Sequence, residues 1–174
     1  EEIEDNRTKE LEEFVLSIFP ETVVKQVVYH GSEEKRDFYK GDVIFFSSDK
    51  NWASNFGQVV QSSVINLKNP FDAAGLTVAY DDENGQFGFL DPRTIKKEGL
   101  EDGIWGGFDL GQREGYQFTV FDPNQVHILT QEELNKIDEI NTKYNKMLED
   151  LNNSNEEILD ESKIDYQKDD KELV

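Results

Sequence analysis

The aromatic and β-branched residues of this chain are concentrated in its middle. They fill roughly residues 22–129, whereas residues 1–13 (EEIEDNRTKELEE) and 149–174 (EDLNNSNEEILDESKIDYQKDDKELV) are acidic, polar and poor in aromatics. A core forms only where apolar surface can be removed from water. The middle is therefore the folded domain, and the ends are solvated helix or disorder. The 174 residues suffice for one domain plus extra length, and the 36% hydrophobic content sits below the usual ~45–50% because of those ends.

The ends also dominate the charge. A net charge of −20 makes an unshielded nucleic acid an unfavourable partner, because affinity for it comes mainly from Lys and Arg neutralising phosphates. A nucleotide would have to be held by local geometry and not by the overall field. With no cysteine there is no disulfide framework and no thiolate ligand or nucleophile. No run of twenty apolar residues and no signal-peptide pattern occurs. The chain opens Glu1-Glu2-Ile3-Glu4 without an initiator Met, as a fragment, a processed chain or the ordered part of something longer would.

Element signals are read in order. Leu11, Phe14, Val15 and Ile18 recur at helical spacing and stop at Pro20. Residues 23–30 (VVKQVVYH) read as a strand closed by Gly31-Ser32, and residues 33–42 as a charged loop. Residues 43–47 (VIFFS) form a second strand. Residues 49–56 start a helix, with Ser48 or Asp49 as N-cap and Gly57 after it. Residues 59–67 are a strand broken by Asn69-Pro70. The Gly- and Asp-rich centre, 72–112, suits loops and short strands better than helices. Within it, Asp81-Asp82-Glu83-Asn84-Gly85 lacks the alternation and closing Glu of an EF-hand, so no metal site is expected. Residues 116–121 are a strand, Asp122-Pro123-Asn124 a turn, and 125–129 a strand.

At Thr130 the period changes. Thr130-Gln131-Glu132-Glu133 is a capping-box pattern, and Leu134, Ile137, Ile140, Tyr144, Met147 or Leu148, and Leu151 follow near a 3.5-residue repeat. The expected organisation is an acidic helical segment at 1–21, a domain at 22–130, an amphipathic helix at 131–152 and an acidic tail at 153–174. The helix stripe packs on the domain or meets a partner. The expected class is α+β.

Chemistry is sought among the rare residues. His127 lies within a strand and reads as structural. His30 ends a strand directly before Gly31, whose backbone no side chain blocks, and Ser32, which adds a hydroxyl. An imidazole, a free backbone pair and a hydroxyl together suit a polar ligand carrying an amide and a ribose.

Three segments then carry a family resemblance. Val28-Tyr29-His30-Gly31-Ser32 resembles the first motif of the histidine class of ADP-ribosyltransferases, which includes diphtheria-like toxins, poly(ADP-ribose) polymerases and modules of phage and mobile-element proteins. Gly41-Asp42-Val43-Ile44-Phe45-Phe46-Ser47-Ser48-Asp49, followed by Trp52-Ala53-Ser54-Asn55-Phe56, resembles the second motif. Tyr116-Gln117-Phe118-Thr119-Val120-Phe121-Asp122-Pro123-Asn124-Gln125-Val126 resembles the third. The resemblance spans roughly 23–129 and is closest to the phage and mobile-element modules. It implies a split-sheet fold flanked by helices, NAD as the co-substrate, and transfer of ADP-ribose to a macromolecule, most naturally a protein. It also implies a cytoplasmic site of action, in the producing cell or in a target cell into which the chain is delivered.

Roles carry over by position. The resemblance implies that His30 hydrogen-bonds the adenosine-side ribose and that the Gly31 backbone pairs with the nicotinamide carboxamide. Ser32 and Ser47 fall in the same binding segments, and Phe45 and Phe56 would sandwich the nicotinamide ring. Phe stands at both places where the family usually has Tyr. The family sets a Glu beside the ribose hydroxyls, where positive charge develops as nicotinamide leaves; here the position is Gln117. Gln can accept a hydrogen bond but lacks the charge, and losing one such interaction costs about 10²–10³ in rate. Glu114 is a substitute that strand alternation turns to the opposite face. Three origins fit Gln117: an engineered silencing change, a natural binding-only member, and a natural transferase that works without the carboxylate. Gly115, where arginine-modifying members carry a second acid, argues against arginine as the acceptor. The alternative from another class is an inactive fold of this type, serving as a binding or structural module in a larger phage or bacterial assembly.

Overall fold

Short capping signals set many of the element boundaries. The structure, a computed structural model, describes residues 1–73, 77–78, 89–106 and 116–172. Helix α1 (Glu2–Ile18) ends two residues before Pro20, as the apolar spacing predicts. Strand β1 (Val28–Ser32) starts later than expected, because the Thr22 hydroxyl captures the backbone N–H groups of Val24 and Leu67 and donates to the Ile65 carbonyl. Strand β2 (Ile44–Ser47) leads into helix α2 (Lys50–Ala53), whose N-cap Asp49 accepts from the Asn51 N–H. A 3₁₀ turn (Ser54–Phe56) follows and ends at Gly57.

Strand β3 (Val59–Ile65) precedes the short β4 (Phe71–Asp72), and β5 (Thr77–Val78) pairs with β6 (Phe89–Leu90) as a separate two-stranded sheet. Next comes helix α3 (Pro92–Glu98), in a stretch expected to hold loops and strands. That expectation is corrected. Asp91 caps the Arg93 N–H, Pro92 occupies the first turn, and Gly99 closes the helix at φ 72°, a left-handed position that suits glycine. Strands β7 (Gly103–Trp105) and β8 (Gln117–Val120) follow. A second 3₁₀ turn (Pro123–Gln125) is capped by Asp122, and β9 (Val126–Ile128) comes after it. Helix α4 runs Gln131–Glu172, through the boundary expected at 152–153, where no Gly or Pro interrupts it. The Asp81–Gly85 segment, Glu114 and Gly115 lie outside the described residues.

The fold is α+β, with a seven-stranded mixed sheet in the order β4-β7-β8-β2-β1-β3-β9. The β4–β7 pair is parallel and the other pairs are antiparallel. The described chain divides into two units, residues 11–132 and residues 1–10 with 133–172. In the smaller unit, Lys143 bonds Glu10 (2.8 Å) and Arg7 bonds Asn145 (2.8 Å). No helix among the described residues is long and apolar enough to cross a membrane.

Register sorts the side chains of the large sheet onto two faces. Val28, Ile44, Phe46, Ile65, Phe118 and Val120 share one face and, with Val24, Tyr39 and Leu67, form the larger buried cluster. Phe45 and Ile104 project from the other face toward a smaller cluster completed by Ala73, Ile95 of α3 and Phe121. Full burial of Phe46 and Phe118 contributes about 1.5–3 kcal/mol each.

One feature of the sheet positions the site. β1 pairs with β3 over five residues and β2 with β8 over four, but β1 and β2 meet only at Tyr29 and Ser47. The block β4-β7-β8-β2 is thus joined to the block β1-β3-β9 by a single residue pair.

Candidate functional site

The orientation of the peptide groups at this junction follows from the ladders. The Leu129 N–H donates to the Ser62 carbonyl at 3.0 Å, so the peptide groups of Ser62 face β9. Its cross-strand partner Tyr29 therefore forms a non-hydrogen-bonded pair with it. The N–H and C=O of Tyr29, and by alternation those of Gly31, then point toward β2. Tyr29 meets Ser47 there. Gly31 has no counterpart, because the β1–β2 ladder ends one pair earlier. Gly31 thus presents a backbone donor and acceptor to the opening between the two blocks.

The opening is held by an imidazole. In continued register Gly31 would face Phe45, but the Phe45 carbonyl instead accepts a hydrogen bond from His30 Nδ1 at 2.6 Å. A carbonyl only accepts, so the network assigns the proton to Nδ1 and leaves Nε2 of the neutral ring as an acceptor. The ring packs 4.6 Å from Tyr39 and 5.6 Å from Phe46. Burial, aided by the positive Arg36 and opposed by the Phe45 carbonyl, lowers the His30 pKa below its ordinary value. Among the described residues Nε2 has no hydrogen-bond partner.

The roof over Gly31 is close. A Cβ there would lie 2.0 Å from the Ala53 carbonyl oxygen, and a Cβ on Gly57 would lie 2.3 Å from the carbonyl of Ser32. Both positions require glycine because α2 and the following 3₁₀ turn rest directly on the β1 backbone. That contact places Phe56, 62% exposed, at the end of the covering turn, with its ring 5.8 Å from Trp52.

The expected site residues separate accordingly. Gly31, Phe45, Ser47 and Gln117 share one sheet face, with the Phe56 turn packed on the Gly31 end of that face. Phe45 is half-buried against the smaller cluster. His30 and Ser32 belong to the opposite face, from which His30 reaches across the opening. The hydroxyls of both serines are engaged within the fold: Ser32 donates to the Glu34 carbonyl at 3.1 Å, and Ser47 accepts from the Asp49 N–H at 3.0 Å. Gln117 begins β8, half-buried, and its side-chain amide has no hydrogen-bond partner among the described residues. His127 pairs with Val64, two strands from β1, and takes no part.

Three further residues lie near the opening: Tyr29, which the first motif contains but to which the resemblance carries no role, and Gln61 and Arg36, which no motif contains. Tyr29 stands in one row with Ser47 and Gln117 across three strands, and burial pushes its phenol above the usual pKa. Gln61 is the cross-strand partner of His30. Arg36 is bound to Gln61 through its backbone. Cross-strand register places Tyr29 and Gln61, and the Gln61 side chain holds Arg36.

No protein-family model matches the chain, and neither a curated protein nor a solved structure does.

Proposed function

We propose that the chain is an NAD-dependent mono-ADP-ribosyltransferase of toxin or phage type, acting on a macromolecular target, with turnover weakened by Gln117. The observation that carries this reading is the unpaired Gly31 peptide facing the β1–β2 opening beside an imidazole fixed by the Phe45 carbonyl. A nicotinamide carboxamide needs one donor and one acceptor side by side, which Gly31 offers. A ribose hydroxyl needs an acceptor such as His30 Nε2. Phe45 and Phe56 supply flat apolar surface on the face that Gly31 shares.

The chemistry NAD brings is departure of nicotinamide as the ribose gains positive charge. The protein's part is to orient the two ends and to present an oxygen beside the ribose hydroxyls. Gln117 projects on that face and offers an amide oxygen without charge, so binding is retained while charge stabilisation is lost. This last property equally favours the second reading, a binding module of the same fold.

Calorimetric titration separates the readings from unrelated ones. NAD binds with nicotinamide as a competitor, and adenosine alone binds weakly. Absence of heat with NAD at millimolar concentration, for this chain and for Gln117→Glu, contradicts both.

A further inference from the structure

We propose that Arg36, held beside His30 by Gln61, is the anchor for the diphosphate of the dinucleotide. The assignment rests on the NAD reading above and adds a residue that no motif supplies. Its first support is a clamp: Gln61 Oε1 accepts the Arg36 N–H at 2.9 Å and Gln61 Nε2 donates to the Arg36 carbonyl at 2.8 Å. Both peptide groups of Arg36 are fixed by one side chain, which itself belongs to the cross-strand partner of His30. In the loop of residues 33–42, Tyr39 is anchored in the core and Glu34 accepts from Ser32, and the clamp fixes the backbone of the arginine between them.

The second support is charge. Three arginines lie among the described residues; Arg7 pairs with Glu4 and Arg93 with Asp91, while Arg36 has no carboxylate partner among the described residues. In a chain with net charge −20, an anionic ligand is repelled unless a local cation offsets the field. An exposed guanidinium with no carboxylate partner among the described residues, on a backbone tied to the cross-strand partner of the imidazole assigned to a ribose, is suited to bidentate recognition of phosphate oxygens. Beside the larger effect of burial, its positive charge acts to lower the pKa of both His30 and Tyr39. The diphosphate directly adjoins the adenosine-side ribose, so the chemistry of the ligand demands a cation there.

The test titrates the full chain with NAD, ADP-ribose and nicotinamide, at low and high salt. Arg36→Gln is expected to weaken NAD and ADP-ribose by about tenfold or more and to flatten their salt dependence, with nicotinamide unchanged. Arg36→Lys falls between, because the charge stays and the fork is lost. Gln61→Ala, which removes both bonds to the Arg36 backbone, weakens the same two ligands in the same direction. Unchanged ADP-ribose affinity in Arg36→Gln overturns the assignment alone, as does a native chain that binds nicotinamide but not ADP-ribose. A native chain that binds none of the three overturns the dinucleotide reading itself, and the assignment with it.

Discussion

His30 Nδ1 and the Phe45 carbonyl oxygen lie 2.6 Å apart, one residue beyond the only backbone pair that joins β1 to β2. A side chain thus takes the place of the next rung, and the Gly31 peptide is left facing the opening. The same contact fixes the imidazole tautomer. ¹⁵N NMR of the neutral ring should show the proton on Nδ1; a ring protonated at Nε2 contradicts the assignment.

The pH dependence follows from the same ring. Burial places the folded pKa of His30 below its ordinary value of 6.5, with Arg36 adding to the shift. Between that lowered value and about 6.5 the unfolded chain binds more protons, so stability rises with pH through this window. The contribution is fully present above about 6.5 and is lost as the pH falls toward the folded pKa. Urea midpoints should drop on acidification through this window by more in the native chain than in His30→Gln. Equal drops would show that the ring is not the titrating group.

Gly31→Ala is expected to destabilise the fold by about 1–3 kcal/mol or more, the range for overpacking. The added methyl would meet the Ala53 backbone carbonyl at 2.0 Å, and a helix backbone cannot swing aside as a flexible side chain can. A melting temperature equal to that of the native chain would mean that α2 does not rest on β1.

Gln125 acts as a polar staple of the central unit. Its Oε1 accepts the N–H groups of Phe121 (3.0 Å) and Asp122 (2.9 Å), and its Nε2 donates to the carbonyls of Asn66 (3.1 Å) and Asp102 (2.8 Å). It ties together the ends of β8 and β3 and the segment before β7. Gln125→Ala leaves these groups without partners at about 1–3 kcal/mol for each that stays dry, so a loss near ~3 kcal/mol is expected in urea denaturation. Asn124→Ala serves as the control, and a Gln125→Ala chain as stable as the control contradicts the role.

Local signals carried most of the fold. Asp49 before α2, Gly57 after the following turn and Asp122 before Pro123 are each a cap or break whose chemistry acts within a few residues, and α4 begins directly after Thr130. Helix α3 escaped because seven residues are too few to show a helical period, although Asp91-Pro92 and Gly99 marked both of its ends. The single-pair junction of β1 and β2 was not readable, since it depends on where two ladders stop pairing. For the site, His30 and Gly31 stood out because an imidazole beside a glycine at a strand end is locally unusual. Ser32 and Ser47 looked equally available, and only the structure shows their hydroxyls engaged. Gln61 comes to the opening through cross-strand register, and Arg36 through the Gln61 side chain, neither of which a local pattern encodes.

The central claim turns on Gln117, whose amide projects on the face shared by Gly31 and Phe45 without a hydrogen-bond partner among the described residues. The direct measurement is release of nicotinamide from NAD by the native chain and by Gln117→Glu, with NAD affinity measured in parallel and labelled NAD followed into cell lysate. A carboxylate opposite the developing positive charge acts mainly in the transition state. Release or transfer is expected to be at least about tenfold faster in Gln117→Glu, with affinity little changed and label in a discrete macromolecular band. Equal and negligible release by both chains would contradict the transferase claim and leave a binding module in its place.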